Sequence, residues 1–132
     1  MKITRLEDLQ SQQGPADWFT GSVWLAPVTA GAPPSRLTAY RVTFAPGART
    51  AWHTHPVGQS LYILSGRARI GRDDGTVQEL SPGDSVRFEP AERHWHGAAP
   101  GGVMAHLAMQ EAGDDGSTAD WAEHVTDEQY GA

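Results

Sequence analysis

The 132-residue sequence contains no cysteine. That one absence excludes disulfide scaffolds, thiolate catalysis, iron–sulfur clusters and cysteine-ligated zinc. Any metal site must therefore draw on histidine, carboxylate and amide donors. Positive charge is also scarce, with ten Lys and Arg against sixteen Asp and Glu and a formal net charge of −6. Such a chain has no electrostatic footprint for a phosphate backbone, so nucleic acid is not an expected partner. Long apolar runs are missing as well. Met1 to Gln10 holds Lys2, Arg5, Glu7 and Asp8, which fits neither a signal peptide nor a spanning helix, so the expected setting is cytoplasmic and away from membranes. The sequence shows no repeat, low-complexity tract or internal linker.

Apolar residues make up 39% of the chain, and 15 glycines bring that to about half, the range of ordinary globular domains. The length suits one domain, 1–132, with a β core over about 22–110, an N-terminal arm over 1–21 and a C-terminal tail over 111–132. Short runs bounded by glycine and proline point to an all-β sandwich or barrel. Strands are expected at Ser22 to Val28, Leu37 to Ala45, Thr50 to His55, Gln59 to Ser65, Ala68 to Arg72, Thr76 to Leu80, Ser85 to Glu89, His94 to Ala98 and Val103 to Gln110. Helix is expected only at the ends, where Thr4 with Glu7 and Thr126 with Gln129 have capping-box spacing. Met1 to Leu6 reads equally as an extended arm able to pair with a neighbouring subunit. Glu111 to Ser117 reads as a mobile acidic loop.

Period-two reading puts Thr38, Tyr40, Val42 and Phe44 on one side of their strand. On the last strand Met104, His106, Ala108 and Gln110 share a side that mixes polar with small or flexible groups, as a cavity wall does. Five of the six histidines fall within the β-rich segment: His53, His55, His94, His96 and His106. His53 and His55 lie two apart on an extended run, so both imidazoles project from one face and can hold a single ion. Trp52 and Trp95 alternate with histidines and should point away from such an ion, into packing. His124 reads as a surface group. The arginines at 41, 49, 67, 69, 72 and 87 read as a solvated, charge-paired sheet face.

Gly47, His53, His55, Gln59 and Gly66, at these spacings, resemble the first motif of the cupin superfamily, with glutamine where glutamate is usual. Gly83-Asp84, Pro90 and His94 resemble the second. The segments His53 to Gln59, His94 to Pro100, Gly14 to Gly21 and Glu123 to Tyr130 are similar to the small bacterial cupin-type hydroxynitrile lyases, which are manganese-dependent. The resemblance implies a jelly-roll-like β-barrel with short terminal extensions. It places a divalent metal, manganese by family, on His53, His55, Gln59 and His94, and a general base on His106. The implied reaction is cleavage or formation of a cyanohydrin, with a hydroxyl at the metal giving its proton to histidine. Pro90-Ala91-Glu92 departs from the family, since many relatives have glycine in that turn.

Three imidazoles and an amide carbonyl are neutral, so the ion keeps its full charge and acts as a stronger Lewis acid than beside a glutamate. The donor set also accepts iron, zinc, cobalt or nickel. His96, sharing strand parity with His94, is expected to face the cavity near the nitrile, Gln110 to orient a histidine or the substrate, and Tyr40 to narrow the cavity or donate a hydrogen bond. The expected partner is a small-molecule substrate, in a homodimer or homotetramer. Two other readings stand beside the lyase: an iron dioxygenase on a three-histidine site, and a non-catalytic small-molecule-binding module.

Overall fold

Period-two alternation builds two facing antiparallel sheets. The computed structural model describes residues 1–131. Its strands are β1 (Gln12–Gln13), β2 (Phe19–Thr20), β3 (Val23–Ala30), β4 (Leu37–Phe44), β5 (Arg49–Thr50), β6 (His53–Thr54), β7 (Gln59–Ser65), β8 (Ala68–Arg72), β9 (Val77–Leu80), β10 (Ser85–Phe88), β11 (His94–Ala98), β12 (Met104–Glu111) and β13 (Asp120–Trp121). One sheet runs β1-β3-β4-β12-β7-β10. The other runs β13-β6-β11-β5-β2, with β8 on the far side of β11 and β9 beyond it. Their inner faces meet over Val23, Phe44, Leu61, Ile63, Phe88 and Met104, all nearly inaccessible to water. No helix among the described residues is long and apolar enough to cross a membrane.

The segment read as one strand from Thr50 to His55 is two. Between β5 and β6 the backbone leaves β11: the Ala51 amide donates to the Trp18 carbonyl at 2.7 Å and the Trp52 amide to the Glu123 carbonyl at 2.9 Å. The break lets the tail enter as β13 beside His53. The acidic stretch after β12 is tied down, with the Gly113 amide on the Ser117 carbonyl and the Ala112 amide on the Arg36 carbonyl.

The two helix signals part company. Thr126 and Gln129 form the expected reciprocal cap on a short helix, α1 (Asp127–Tyr130), closed by left-handed Gly131. Near the start only a three-residue 3₁₀ turn forms, Leu6–Asp8, preceded by Arg5 with no side-chain cap. Leu6 finds no apolar surface there, and a single turn without packing cannot offset nucleation.

Behind β11 the tail is anchored. Tyr130 packs with Trp52, Trp95 and Val125, and its hydroxyl donates to the Ala98 carbonyl at 2.7 Å. Both tryptophans thus turn away from the histidines, as their parity requires. Arg49 departs from the expected solvated face: it is buried, donates to the Val125 carbonyl and pairs with Asp127 at 2.8 Å, while its guanidinium covers the Tyr130 ring. Arg67, Arg69 and Arg72 do form the expected surface pairs, with Glu79, Asp74 and Glu92.

Candidate metal centre

β6, β7 and β11 bring His53, Gln59 and His96 to one pocket, the turn after β6 adds His55, and His94 lies directly behind, against Gln59 and His53. Three of these imidazoles are locked by the backbone. Nδ1–H of His53 donates to the Ala51 carbonyl at 2.9 Å, that of His55 to Thr118 at 2.6 Å and that of His94 to Glu92 at 2.8 Å. A carbonyl can only accept, so each neutral ring must carry its lone pair on Nε2. Phe88 lies flat on His94, centroids 3.6 Å apart, and Trp121 stacks on His53 at 4.5 Å. Buried and unpartnered, the Nε2 of His55 has no donor to accept from.

Gln59 is oriented just as firmly. Thr38 Oγ1 accepts from Gln110 Nε2 at 2.7 Å, and Gln110 Oε1 accepts from Gln59 Nε2 at 3.1 Å. The relay leaves the Gln59 carbonyl oxygen facing His94 Nε2 at 3.2 Å. Two acceptors thus confront each other in a buried place with no proton of their own to share. A cation between or beside them resolves the conflict. Protonation of His94 does not, since burial, with nearby His55 adding to it, pushes its pKa down to about 3.

His96 differs from the other three. Its Nδ1 lies 2.9 Å from Nε2 of His106 rather than on a carbonyl, so its tautomer is free to exchange. Its Nε2 is buried without a partner. One ring nitrogen each of His53, His94 and His96 lies within 4.8 Å of the other two, a grouping that fits a divalent cation. His55 stands beside it, its ring centroid 5.0 Å from His53 and 5.5 Å from His94. His106 is wholly enclosed on β12 against Phe44 and reaches the pocket through His96 alone. Burial pushes its pKa down to about 4, and holds those of His53 and His96 well below the ordinary range, with the neighbouring histidines adding to the effect.

The pocket, about 270 Å³, has a polar floor and an aromatic rim. Trp18 and Trp121 stack nearly parallel at 5.0 Å on one side. Tyr40, Val42, Leu25 and Ala108 form the opposite wall, and Gln110 and Thr50 complete the floor. The tail supplies part of this frame: Thr118 fixes His55, and Trp121 both pairs with and stacks on His53.

Residues 40–109 match the cupin domain family. The chain belongs to the cupin family. Over 130 residues, 98% of each chain, this cupin is 53% identical to a protein of Granulicella tundricola named (R)-mandelonitrile lyase. Among solved structures it resembles a cupin-like protein of Thermotoga maritima, with 35% identity, TM-score 0.81 and 89% of both chains covered. It shares its fold with the polyketide cyclase RemF of Streptomyces resistomycificus, at 18% identity and TM-score 0.76, over 98% of this chain and 90% of that one.

In this cupin His53, His55, Gln59, His94, His96, Gln110 and Tyr40 all line or border one cavity, and His106 stands one residue behind it. His96 enters the three-histidine grouping, beyond the ligand set that the resemblance implies. The signal was present in His94-Trp95-His96, which repeats the spacing of His53-Thr54-His55. The Ala91 turn also has its explanation. Ala91 adopts φ 62°, the left-handed region, and its amide donates to the His55 carbonyl. The alanine takes a backbone conformation that glycine adopts without steric cost. On the other side of the pocket, Gly58 at φ 85° brings the turn so near β10 that a Cβ would sit 2.5 Å from the Phe88 carbonyl oxygen.

Proposed function

We propose that this cupin is a manganese-dependent lyase that cleaves cyanohydrins to an aldehyde or ketone and hydrogen cyanide, and forms them in reverse. The facing acceptors of Gln59 and His94, 3.2 Å apart and closed to protons, carry the metal half of this reading. The (R)-mandelonitrile lyase at 53% identity supports the reaction half.

Four neutral groups would hold the ion: His53, His55 and His94 through Nε2, and Gln59 through Oε1. A divalent cation held by such donors supplies Lewis acidity, which makes a nearby hydroxyl more acidic. His96 takes the proton-moving role because its Nε2 faces the same space and its Nδ1 is not locked on a carbonyl. As the substrate O–H proton reaches His96 Nε2, Nδ1–H of His96 leans on His106 Nε2, which spreads the charge over two rings. The O–H electrons become the carbonyl π bond, the C–CN pair leaves with cyanide, and His96 returns the proton to give HCN. No electron is gained or lost overall. His106 serves this reading as the base behind the base.

Gln110 holds Gln59 in the required orientation, and Tyr40 with the Trp18–Trp121 pair forms a cavity suited to a substrate carrying one aromatic ring. Purified manganese-loaded protein, kept free of dioxygen, should release benzaldehyde and cyanide from mandelonitrile in equal amounts. Failure to do so, with oxygen uptake by the iron-loaded form, would replace the lyase by a dioxygenase.

A further inference from the structure

The backbone that turns metal donors into the pocket turns tryptophans out of its back. Trp52 precedes His53 and Trp95 follows His94, and both indoles are buried with Val125 and Tyr130 in a cluster separate from the main core. Val125 and Tyr130 belong to the tail, so this cluster exists only while the tail is docked. Before reaching it the tail passes along the pocket, where Thr118, Ala119 and Trp121 line the cavity, and joins the sheet as its last strand, β13. One segment, 118–131, therefore clasps the donor-bearing sheet from both faces.

The grip is concentrated at the far end. Buried Arg49 donates through Nε and Nη2 to the Val125 carbonyl at 3.2 and 2.9 Å, and the guanidiniums of Arg49 and Arg69 both lie over the Tyr130 ring, 4.6 and 4.8 Å from its centroid. Undocking would strip Arg49 of the carbonyl and carboxylate that offset its charge. The near end is held lightly, since β13 is two residues long and pairs with β6 at the sheet's edge. Short edge segments of this kind are the first to open locally. Yet this near end supports the donors: the Thr118 carbonyl fixes Nδ1–H of His55, Trp121 stacks on His53, and the Ala122 amide donates to the carbonyl of Trp52, next to His53, at 2.8 Å.

We propose that Arg49 and Tyr130 are positioning residues for the metal centre, acting from the far face of the sheet, and that docking of the tail and binding of the ion are reciprocally coupled. The proposal rests on the metal half of the lyase reading. With the tail open, the His55 ring is free to turn or to carry its proton on Nε2, and His53 loses the indole against one of its faces, so the open form holds the ion less tightly. Reciprocity then requires the ion to keep the tail closed. Because 118–121 also form one wall of the cavity, the same closure completes the pocket.

Hydrogen exchange read by mass spectrometry on the full chain, with and without saturating manganese, tests the coupling from one side. Manganese should slow exchange across 118–130 about tenfold or more, against less than about threefold at β9, the opposite edge of the same sheet. Chelator competition tests it from the other side, with circular dichroism confirming that each variant folds. Tyr130→Ala should lower manganese affinity about 10- to 100-fold, whereas Tyr130→Phe, which keeps the ring under both guanidiniums, should stay within about threefold of wild type. Val23→Ala removes buried volume from the other sheet without touching the tail and should leave the affinity unchanged. A wild type that takes up no manganese would overturn the centre itself and the coupling with it. Manganese binding with exchange across 118–130 unaltered would overturn the coupling alone, and this comparison decides even where Tyr130→Ala does not fold. Unchanged affinity in folded Tyr130→Ala, or an equal loss in Val23→Ala, would likewise remove the positioning role.

Discussion

Gln59 and His94 meet acceptor to acceptor: the amide oxygen of one and Nε2 of the other stand 3.2 Å apart, each held in that role by a hydrogen bond on its far side. Remove the far-side bond and the confrontation relaxes. Gln110→Leu frees the Gln59 amide to rotate and offer N–H to His94, which satisfies the pair without an ion. Metal affinity should fall about 10- to 100-fold, the usual cost of losing a group that orients a ligand. Competition with a calibrated chelator measures this, and unchanged affinity would mean that Gln59 is held by something other than Gln110.

Splitting the two rings of the relay separates their roles. His106→Gln should retain metal and lower turnover of mandelonitrile roughly 10²- to 10⁴-fold, the range of general-base contributions. His96→Ala should lower turnover at least as much. Turnover equal to wild type in His106→Gln would remove His106 from the chemistry and leave it a packing residue beside Phe44.

Trp121 stacks on His53 and on Trp18, so it braces both the ligand and the cavity rim. Trp121→Ala should weaken metal binding about tenfold and raise KM for aromatic cyanohydrins, while Trp121→Phe keeps most of both. Metal titration together with steady-state kinetics on mandelonitrile and an aliphatic cyanohydrin distinguishes the two effects.

Acid should destabilise the metal-free protein in a defined window. Burial holds His94 at about 3 and His106 at about 4, against an ordinary value of 6.5, so the unfolded chain binds more protons below that value. Stability is fully present above about pH 6.5, falls as the pH drops and levels off only beneath the folded values. Urea midpoints of chelator-treated protein between pH 8 and pH 4 should decline accordingly. Flat midpoints would show that these rings charge freely in the folded state.

Ala91 sits at φ 62° in the turn before His94. Left-handed backbone costs a non-glycine residue about 1–2 kcal/mol, and glycine gives back part of that gain through unfolded-state entropy, about 0.4–1 kcal/mol. Ala91→Gly should therefore stabilise by about 0.5–1 kcal/mol and raise Tm by a few degrees, with metal content unchanged. A lower Tm would show that the turn is unstrained.

Much of this centre is visible in the linear sequence because strands turn spacing into direction. His53 with His55, and Met104, His106, Ala108 and Gln110, read at period two, fall on the faces that the structure gives them. The tail's contributions, Thr118 and Trp121, do not announce themselves. Thr118 acts through a backbone carbonyl 63 residues from His55, and any residue type supplies a carbonyl. Trp121 pairs with His53 only because Ala51 and Trp52 break the ladder with β11, an event set by long-range bonds to Trp18 and Glu123. Arg49 looked like its neighbours in composition, and its burial follows from α1 folding back over β11. The start of the chain misled in the opposite sense, since capping-box spacing at Thr4 and Glu7 has no effect where no apolar face supports a helix.

β12 does two jobs with one alternation, sending His106, Ala108 and Gln110 to the inner face that carries the pocket and Leu107 and Met109 to the back of the sheet. A single residue inserted or deleted within it would exchange the two sets wholesale, exiling the relay to the exterior and burying a leucine and a methionine among the metal donors. Length variation among natural relatives should accordingly collect in the 111–119 connection and spare Met104 to Gln110, even where the identities of individual residues drift.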